Sequence, residues 1–314
     1  MDEAALNSQA VQPDLDALIA LRREVRGNPL KPRKPARSLL AGTHHSRFRG
    51  RGMDYLESRV YQPGDDIRNL DWRVTARSGK VHTKMYHEER ERPVVVLADF
   101  GPGMFFATQG VFKSVIAARA ATFIAWSAIA HGDRIGALLF NGEHRELKPR
   151  GGDKGVLRLI RELIAVADPA SGLRAEARPK ALNEALRRLR RVARPGSLVV
   201  VLSDFHAIDE ETGLLLGQLR RHNEILAVQI LDRLEIEAPP AGVYPVSDGR
   251  QRGWLDISRR DRREAYHDLF AQRHRRLDEM LKAQAIPLLR LTTRDDVAAS
   301  LRDWLRAPVA RRAS

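Results

Sequence analysis

Two carboxylates stand where this 314-residue chain could most readily do chemistry. Asp99 closes the apolar run Val94–Asp99, and Asp204 closes Ser197–Asp204 (SLVVVLSD). Short unbroken apolar runs of this kind read as strands buried on both faces. In open α/β sheets ligands lie beyond the carboxyl ends of such strands. A pair of Asp side chains there supplies the hard oxygen ligands that a hydrated Mg²⁺ wants, and each Asp alone also suits the cap of the helix that follows its strand. A second acidic group, Asp65-Asp66 with Glu88-Glu89, has the composition of a metal cluster for phosphodiester hydrolysis. Arg59, Arg68, Arg73, Arg77 and Arg90 are close enough in sequence to neutralise it. His44, His45, His82, His87 and His206 lack a ligand spacing such as H-E-x-x-H. There is no G-x-S-x-G elbow, no G-x-x-x-x-G-K-[ST] loop and no cysteine. No nucleophile is expected, and the chain reads as a non-enzyme.

The elements that must hold these residues follow from hydrophobic period and breakers. After Val94–Asp99 comes a helical pattern from Val111 to His131, then a strand over Arg134–Phe140. Helices are predicted over Lys154–Ala167 and Ala181–Ala193, the latter ended by Pro195-Gly196. Beyond Ser197–Asp204 lie a helix (Glu211–His222), a strand (Glu224–Leu231), later strands at Trp254–Ile257 and Pro287–Leu291, and helices at Arg262–Ala283 and Asp295–Arg306. Strands alternating with helices predict an α/β fold with a mostly parallel sheet and helices on both faces. Residues 93–314 form that domain. Residues 1–36 read as a helix near Pro13–Arg26 and an extended, mobile Pro/Lys/Arg linker. Residues 37–92 read as a small subdomain with short strands near Leu56–Tyr61 and Val81–Tyr86, packed on the larger one.

Absence of Cys excludes disulfides and thiolate zinc sites and fits a reducing compartment. The acidic N-terminus lacks a basic stretch followed by an apolar one, so no signal peptide is expected. The most apolar stretch, Val115–Ala130, is broken by Arg119 and reads as a buried helix rather than a membrane span. A cytoplasmic location is expected. The net charge of +14 raises nucleic acid as a partner. Its 54 basic residues are nine Lys and 45 Arg, dispersed along helical patterns without the interleaved aromatics that stack on single-stranded bases, so nucleic acid is not favoured.

The densest tract is RVYQPGDDIRNLDWRVTAR, residues 59–77. Pro63-Gly64 predicts a tight turn. Asp65, Asp66 and Asp71 set among Arg59, Arg68, Arg73 and Arg77 predict an ion-pair network on an aromatic anchor formed with Trp72. With the following residues to 104, this tract resembles the signature of the bacterial domain-of-unknown-function 58 family, which precedes a von Willebrand factor A-like (vWA-like) domain. The matching positions are Tyr61, Pro63, Gly64, Asp65, Asp66, Arg68, Leu70, Asp71, Trp72, Thr75, Ala76 and Arg77.

The resemblance implies a vWA-like domain whose strand ends correspond to a metal-ion-dependent adhesion site. In that site an Asp-x-Ser-x-Ser loop, a Thr and a further Asp hold Mg²⁺, and a partner's carboxylate completes the shell. Here the loop reads D-F-G-P-G, with Gly101 and Gly103 in place of the two Ser, and Lys180 stands where a Thr would serve. Only Asp99 and Asp204 remain. Such a site would hold Mg²⁺ weakly or not at all, with Lys180 or a nearby Arg as the replacement cation, and no cofactor is expected. The resemblance further implies a non-enzymatic adaptor that works with a MoxR-type AAA+ ATPase in protein assembly or maturation, often beside membrane-bound vWA proteins. Asp99, Gly101, Gly103 and Asp204 would then be a partner-binding edge, and the 59–77 tract a brace for it or a second docking site. The alternative is a nucleic-acid-binding protein or metal-dependent nuclease using the basic surface and Asp65/Asp66.

Overall fold

A computed structural model describes residues 9–25, 53–63, 65–88, 92–176, 178–247 and 252–306. The predicted linker, His44, His45, Gly64, Glu89 and Arg90 lie outside the described residues. The chain divides into two compact units, one of residues 34–91 and one of residues 1–33 together with 92–314.

The larger unit is built on a six-stranded sheet of β3 (Pro93–Asp99), β4 (Arg134–Phe140), β5 (His144–Arg150), β6 (Leu198–Ser203), β7 (Glu224–Leu231) and β10 (Leu288–Thr292). Its order is β10-β7-β6-β3-β4-β5. All neighbours are parallel except β4 and β5, which form an antiparallel edge pair. The central strand β3 shows why its sequence is continuously apolar. Val94, Val96 and Ala98 enter one core, with α1 (Leu15–Val25), α3 (Lys113–Ala130), α4 (Gly152–Val166) and α9 (Val297–Arg306). Val95 and Leu97 enter the other, with α6 (Ala181–Val192), α7 (Glu210–Arg220) and α8 (Arg260–Ala283). Both faces are therefore covered, as a parallel sheet requires.

Two placements differ from the sequence reading. The first helix is part of the large unit rather than of a separate N-terminal segment. Leu18 and Val25 are buried in its core, the Trp126 indole N–H donates to the Leu18 carbonyl at 3.3 Å, and the Arg22 guanidinium lies 5.0 Å from the Trp126 ring. The strand predicted at Trp254–Ile257 is β9 (Arg252–Asp256), which leaves the main sheet and pairs with β8 (Val243–Ser247) as a separate hairpin. Among the described residues no helix is long and apolar enough to cross a membrane.

The smaller unit is an antiparallel pair, β1 (Met53–Val60) and β2 (His82–Glu88), joined through the turn at Pro63, a 3-10 turn at Ile67–Asn69 and α2 (Trp72–Ser78). The turn is closed by the Asp65 N–H donating to the Gln62 carbonyl at 3.0 Å, which puts Pro63 at the second position that its fixed φ favours.

Because α1 fills a slot in the core, Leu18→Ala is expected to cost about 2–5 kcal/mol of stability. Urea denaturation measures it, and a change near zero would mean the helix is a dispensable appendage.

Candidate functional site

Three carboxylates, not two, crowd the carboxyl ends of the central strands. Asp99 is the last residue of β3, Asp204 follows β6 and Asp232 follows β7. Asp99 accepts hydrogen bonds from the Gly101 N–H at 2.8 Å and the Ser203 hydroxyl at 2.7 Å. Asp204 accepts from the His206 N–H at 3.0 Å, across a turn in which Phe205 holds a φ of 53°. A bulky side chain at positive φ is strained, and such strain persists only where neighbours enforce it. Phe205 is buried, and its N–H donates to the Ser203 hydroxyl oxygen at 3.0 Å.

The cation among them is Lys113. It is the first residue of α3 and only 1% exposed. Its Nζ donates to Asp204 Oδ2 at 3.1 Å and to Glu235 Oε1 at 2.8 Å. Glu235 is itself fixed, because its other oxygen accepts the Asp232 N–H at 2.7 Å, while Asp232 accepts the Leu234 N–H at 3.0 Å. Fully buried Asp232 also ties down the loop before α3. It accepts the Thr108 N–H at 2.8 Å and hydroxyl at 2.7 Å, and the Thr293 hydroxyl at 3.2 Å.

The replacement cation is therefore not Lys180, which caps α6 from an exposed position near Asp209. It comes from the same loop-helix segment that follows the D-F-G-P-G run. A sequence signal existed: Lys at the first turn of a helix opposes the helix dipole, so it needs carboxylates brought from elsewhere. Asp232 and Glu235 were signalled by the capping-box spacing Asp232-x-x-Glu235 directly after a buried strand.

The glycines of the loop have a steric reason. A Cβ on Gly101 would lie 3.1 Å from Asp99 Oδ1, and one on Gly103 would lie 2.9 Å from Asp204 Oδ2. The carboxylates occupy the space that side chains at 101 and 103 would need. This donor set does not suit Mg²⁺. Both Asp99 oxygens and both Asp204 oxygens already accept hydrogen bonds from the protein, one of them from an ammonium. Among the described residues no three His, Cys, Asp or Glu side chains gather as a ligand set.

The 59–77 tract is wired differently from the predicted ion-pair network. Among the described residues its one Asp–Arg pair is Arg59–Asp65, at 2.7 Å. Asp65 also accepts the Gln62 N–H, and Asp66 accepts the Arg68 N–H. Asp71 caps α2 by accepting the Arg73 and Val74 N–H groups and takes the Ser58 hydroxyl at 2.7 Å, which with these caps holds its carboxyl below the ordinary range. These acids complete the backbone donors of short helices. Among the described residues Asp65, Asp66 and Asp71 do not gather as a metal-ligand cluster, and Glu89 and the Glu88 side chain lie outside them. Trp72, predicted as an internal anchor, is 69% exposed. Tyr61 is half-buried at the end of β1, its N–H donating to the Val81 carbonyl, and Arg77 is exposed.

Burial and the neighbouring Asp204 charge push the Asp99 carboxyl up to about 7. Burial also works against ionised Asp204, but the Lys113 ammonium outweighs it and holds that carboxyl below its ordinary value. Burial opposes the Lys113 charge as well, and the Asp204 and Glu235 charges more than restore it, keeping the ammonium protonated. The folded chain thus keeps a proton on Asp99 that the unfolded chain, with an ordinary carboxyl near 3.9, has lost. Its contribution to stability should fall as pH rises from about 4 to 7 and then level off. Asp99→Asn is expected to remove that declining limb in urea titrations run across the window. Parallel curves for the two proteins would exclude Asp99 as its source.

Comparison with known proteins gives a consistent frame. Residues 57–276 match the family described as Protein of unknown function DUF58. Uncharacterized proteins of Mycobacterium bovis and Mycobacterium tuberculosis are 32% identical over 211 residues, covering 67% of this chain and 65% of theirs. The chain thus spans less than two thirds of the length of those relatives. Similar solved structures include the conserved hypothetical protein BatB from Bacteroides thetaiotaomicron, at 11% identity and a TM-score of 0.40, covering 70% of this chain and 99% of that one. Another is a von Willebrand factor type A protein from Catenulispora acidiphila, at 11% identity and a TM-score of 0.42, covering 72% and 44%. With a match that takes in the signature tract, both central strand-end carboxylates and most of the α/β unit, this chain belongs to the DUF58 family.

Proposed function

We propose that this protein is a non-enzymatic, cytoplasmic interaction protein whose vWA-like unit docks a partner at the strand ends without a divalent metal. The observation that carries this reading is the Lys113 ammonium between Asp204 and Glu235. In an adhesion site of the metal type, the cation is the exchangeable part and a partner's carboxylate completes it. Here the cation is covalently part of the chain, so Asp204, in the edge formed by Asp99, Gly101, Gly103 and Asp204, keeps its counter-charge whether or not a metal is at hand. A side chain cannot leave as a metal can, and among the described residues no metal-ligand set accompanies it. These features favour a constitutive docking edge over a catalytic centre.

The partner we propose is a MoxR-type AAA+ ATPase, with the protein acting as an adaptor in assembly or maturation of other proteins. This rests on the resemblance carried by Tyr61, Pro63, Gly64, Asp65, Asp66, Arg68, Asp71, Trp72 and Arg77. Affinity capture with the full chain should recover an AAA+ ATPase. His206→Glu, which adds negative charge at an exposed position in the turn after Asp204, should weaken that capture at least about tenfold if the strand ends form the interface. Recovery of nucleic acid instead, in amounts that fall steeply with salt, would support the competing class.

Calorimetry with Mg²⁺ and Mn²⁺ tests the metal-free reading independently. Wild-type protein should give no tight binding. Lys113→Met should destabilise the fold by about 3–5 kcal/mol, because it leaves Asp204 and Glu235 without their shared cation. Tight Mg²⁺ binding by the wild type, abolished by Asp99→Ala, would overturn the reading.

A further inference from the structure

The signature tract carries a surplus of one kind of group. Its three carboxylates are engaged within the small unit, by Arg59, by Ser58 and by the backbone N–H groups of residues 62, 68, 73 and 74. Arg68, Arg73, Arg77 and Lys80 are all exposed, and none has an ion pair among the described residues. The same tract exposes large apolar groups. Ile67 is 67% and Trp72 69% exposed, and Val60 and Val81 are exposed too. The Asp71 N–H donates to the His82 carbonyl and the Tyr61 N–H to the Val81 carbonyl, both at 2.8 Å. Those bonds join the corner before α2, the end of β1 and the start of β2, so the segments that carry the apolar and cationic groups are neighbours.

We propose that this tract of the small unit is a docking surface for an acidic segment of a partner protein. Trp72 and Ile67 would receive one of its apolar side chains, and Arg68, Arg73 and Arg77 would pair with its carboxylates. Trp and Arg are the residue types that dominate protein interfaces, because each joins a large contact area to a directional polar group. The guanidinium fork matches a carboxylate in a bidentate way that an ammonium cannot. The exposed apolar groups of this tract are one indole and the aliphatic Val60, Ile67 and Val81, which favours a peptide over the successive stacking platforms that single-stranded nucleic acid uses. The surface is built from residues of the small unit and the strand-end edge from residues of the large one. Loss of one interaction would leave the other measurable.

The full chain can be panned against a displayed library of random peptides, with fluorescent oligo(dT) as a parallel probe. Enriched peptides should be acidic and carry an aromatic or long aliphatic residue. Trp72→Ser and the double variant Arg73→Glu, Arg77→Glu should each lower the affinity of the best peptide at least about tenfold. Thermal midpoints should stay unchanged, because the replaced groups face solvent. Four results would overturn the proposal: no enrichment, enrichment of peptides without acidic residues, binding that both variants leave intact, or tighter binding of oligo(dT) than of any peptide. Concentration-dependent dimerisation that Trp72→Ser abolishes would also overturn it, since the face would then belong to a second copy of the chain.

Discussion

A lysine ammonium taken out of water must be met by carboxylates or give up its proton. Lys113 is met by two, and much of the large unit is arranged around that requirement. Asp204 arrives from β6 and Glu235 from the 3-10 turn after β7, and Glu235 is held in place by the Asp232 N–H. Asp232 in turn grips the loop leading into α3 through Thr108. The ammonium, the turn after β7 and the loop before α3 therefore form a closed circuit, in which each part needs the others. Such a buried pair is weak evidence of net stability, since desolvation consumes most of the attraction. Its effect is on uniqueness: any shift of α3 along its axis would strand a charge.

The same circuit explains the unequal state of Asp99 and Asp204. Both lie at strand ends, yet the ammonium contacts only Asp204, so ionised Asp204 becomes one of the charges that disfavour ionisation of Asp99. A pair of carboxylates with separated protonation states is also the pattern of an acid–base pair. Here the Asp99 oxygens are directed at Gly101 and Ser203 inside the fold. The close approach of Gly101 and Gly103 completes the picture, because the room for hydroxyl ligands has been filled by the carboxylates themselves.

The architecture was legible where burial imposes a period. β4 and β7 fall on the predicted spans, and α3 and α6 lie within one or two residues of theirs, because their residues are inside on one or both faces. Strand β5 was not foreseen. Its sequence HRELKPR buries only Leu147 and contains Pro149, since it is an edge strand joined antiparallel to β4 across an irregular register at Gly136. Gly136 is needed there because a Cβ would meet the Leu147 carbonyl at 2.8 Å. At the site, Asp99 and Asp204 were visible because each ends an apolar run. Lys113 was hidden because its role depends on residues 91 and 122 positions away in sequence, a distance over which local pattern carries no information. Charge density in the 59–77 tract was legible too, but not its wiring, because a list of charges does not reveal that backbone donors will take the acids first.

The two units use acidic side chains in opposite ways. In the large unit carboxylates gather inward on a cation, and Lys113 joins two of them across the strand ends. In the small unit Asp66 and Asp71 complete the ends of short helices and Asp65 closes a turn. Among the described residues the small unit's sheet has two strands, and short helices beside so small a sheet gain little from packing, so capping has first claim on the acids. The arginines that the sequence sets beside them are released to solvent with Trp72. Part of the chain's positive charge thus follows from assigning carboxylates to backbone, which leaves Arg68, Arg73 and Arg77 exposed in the same tract as an exposed indole.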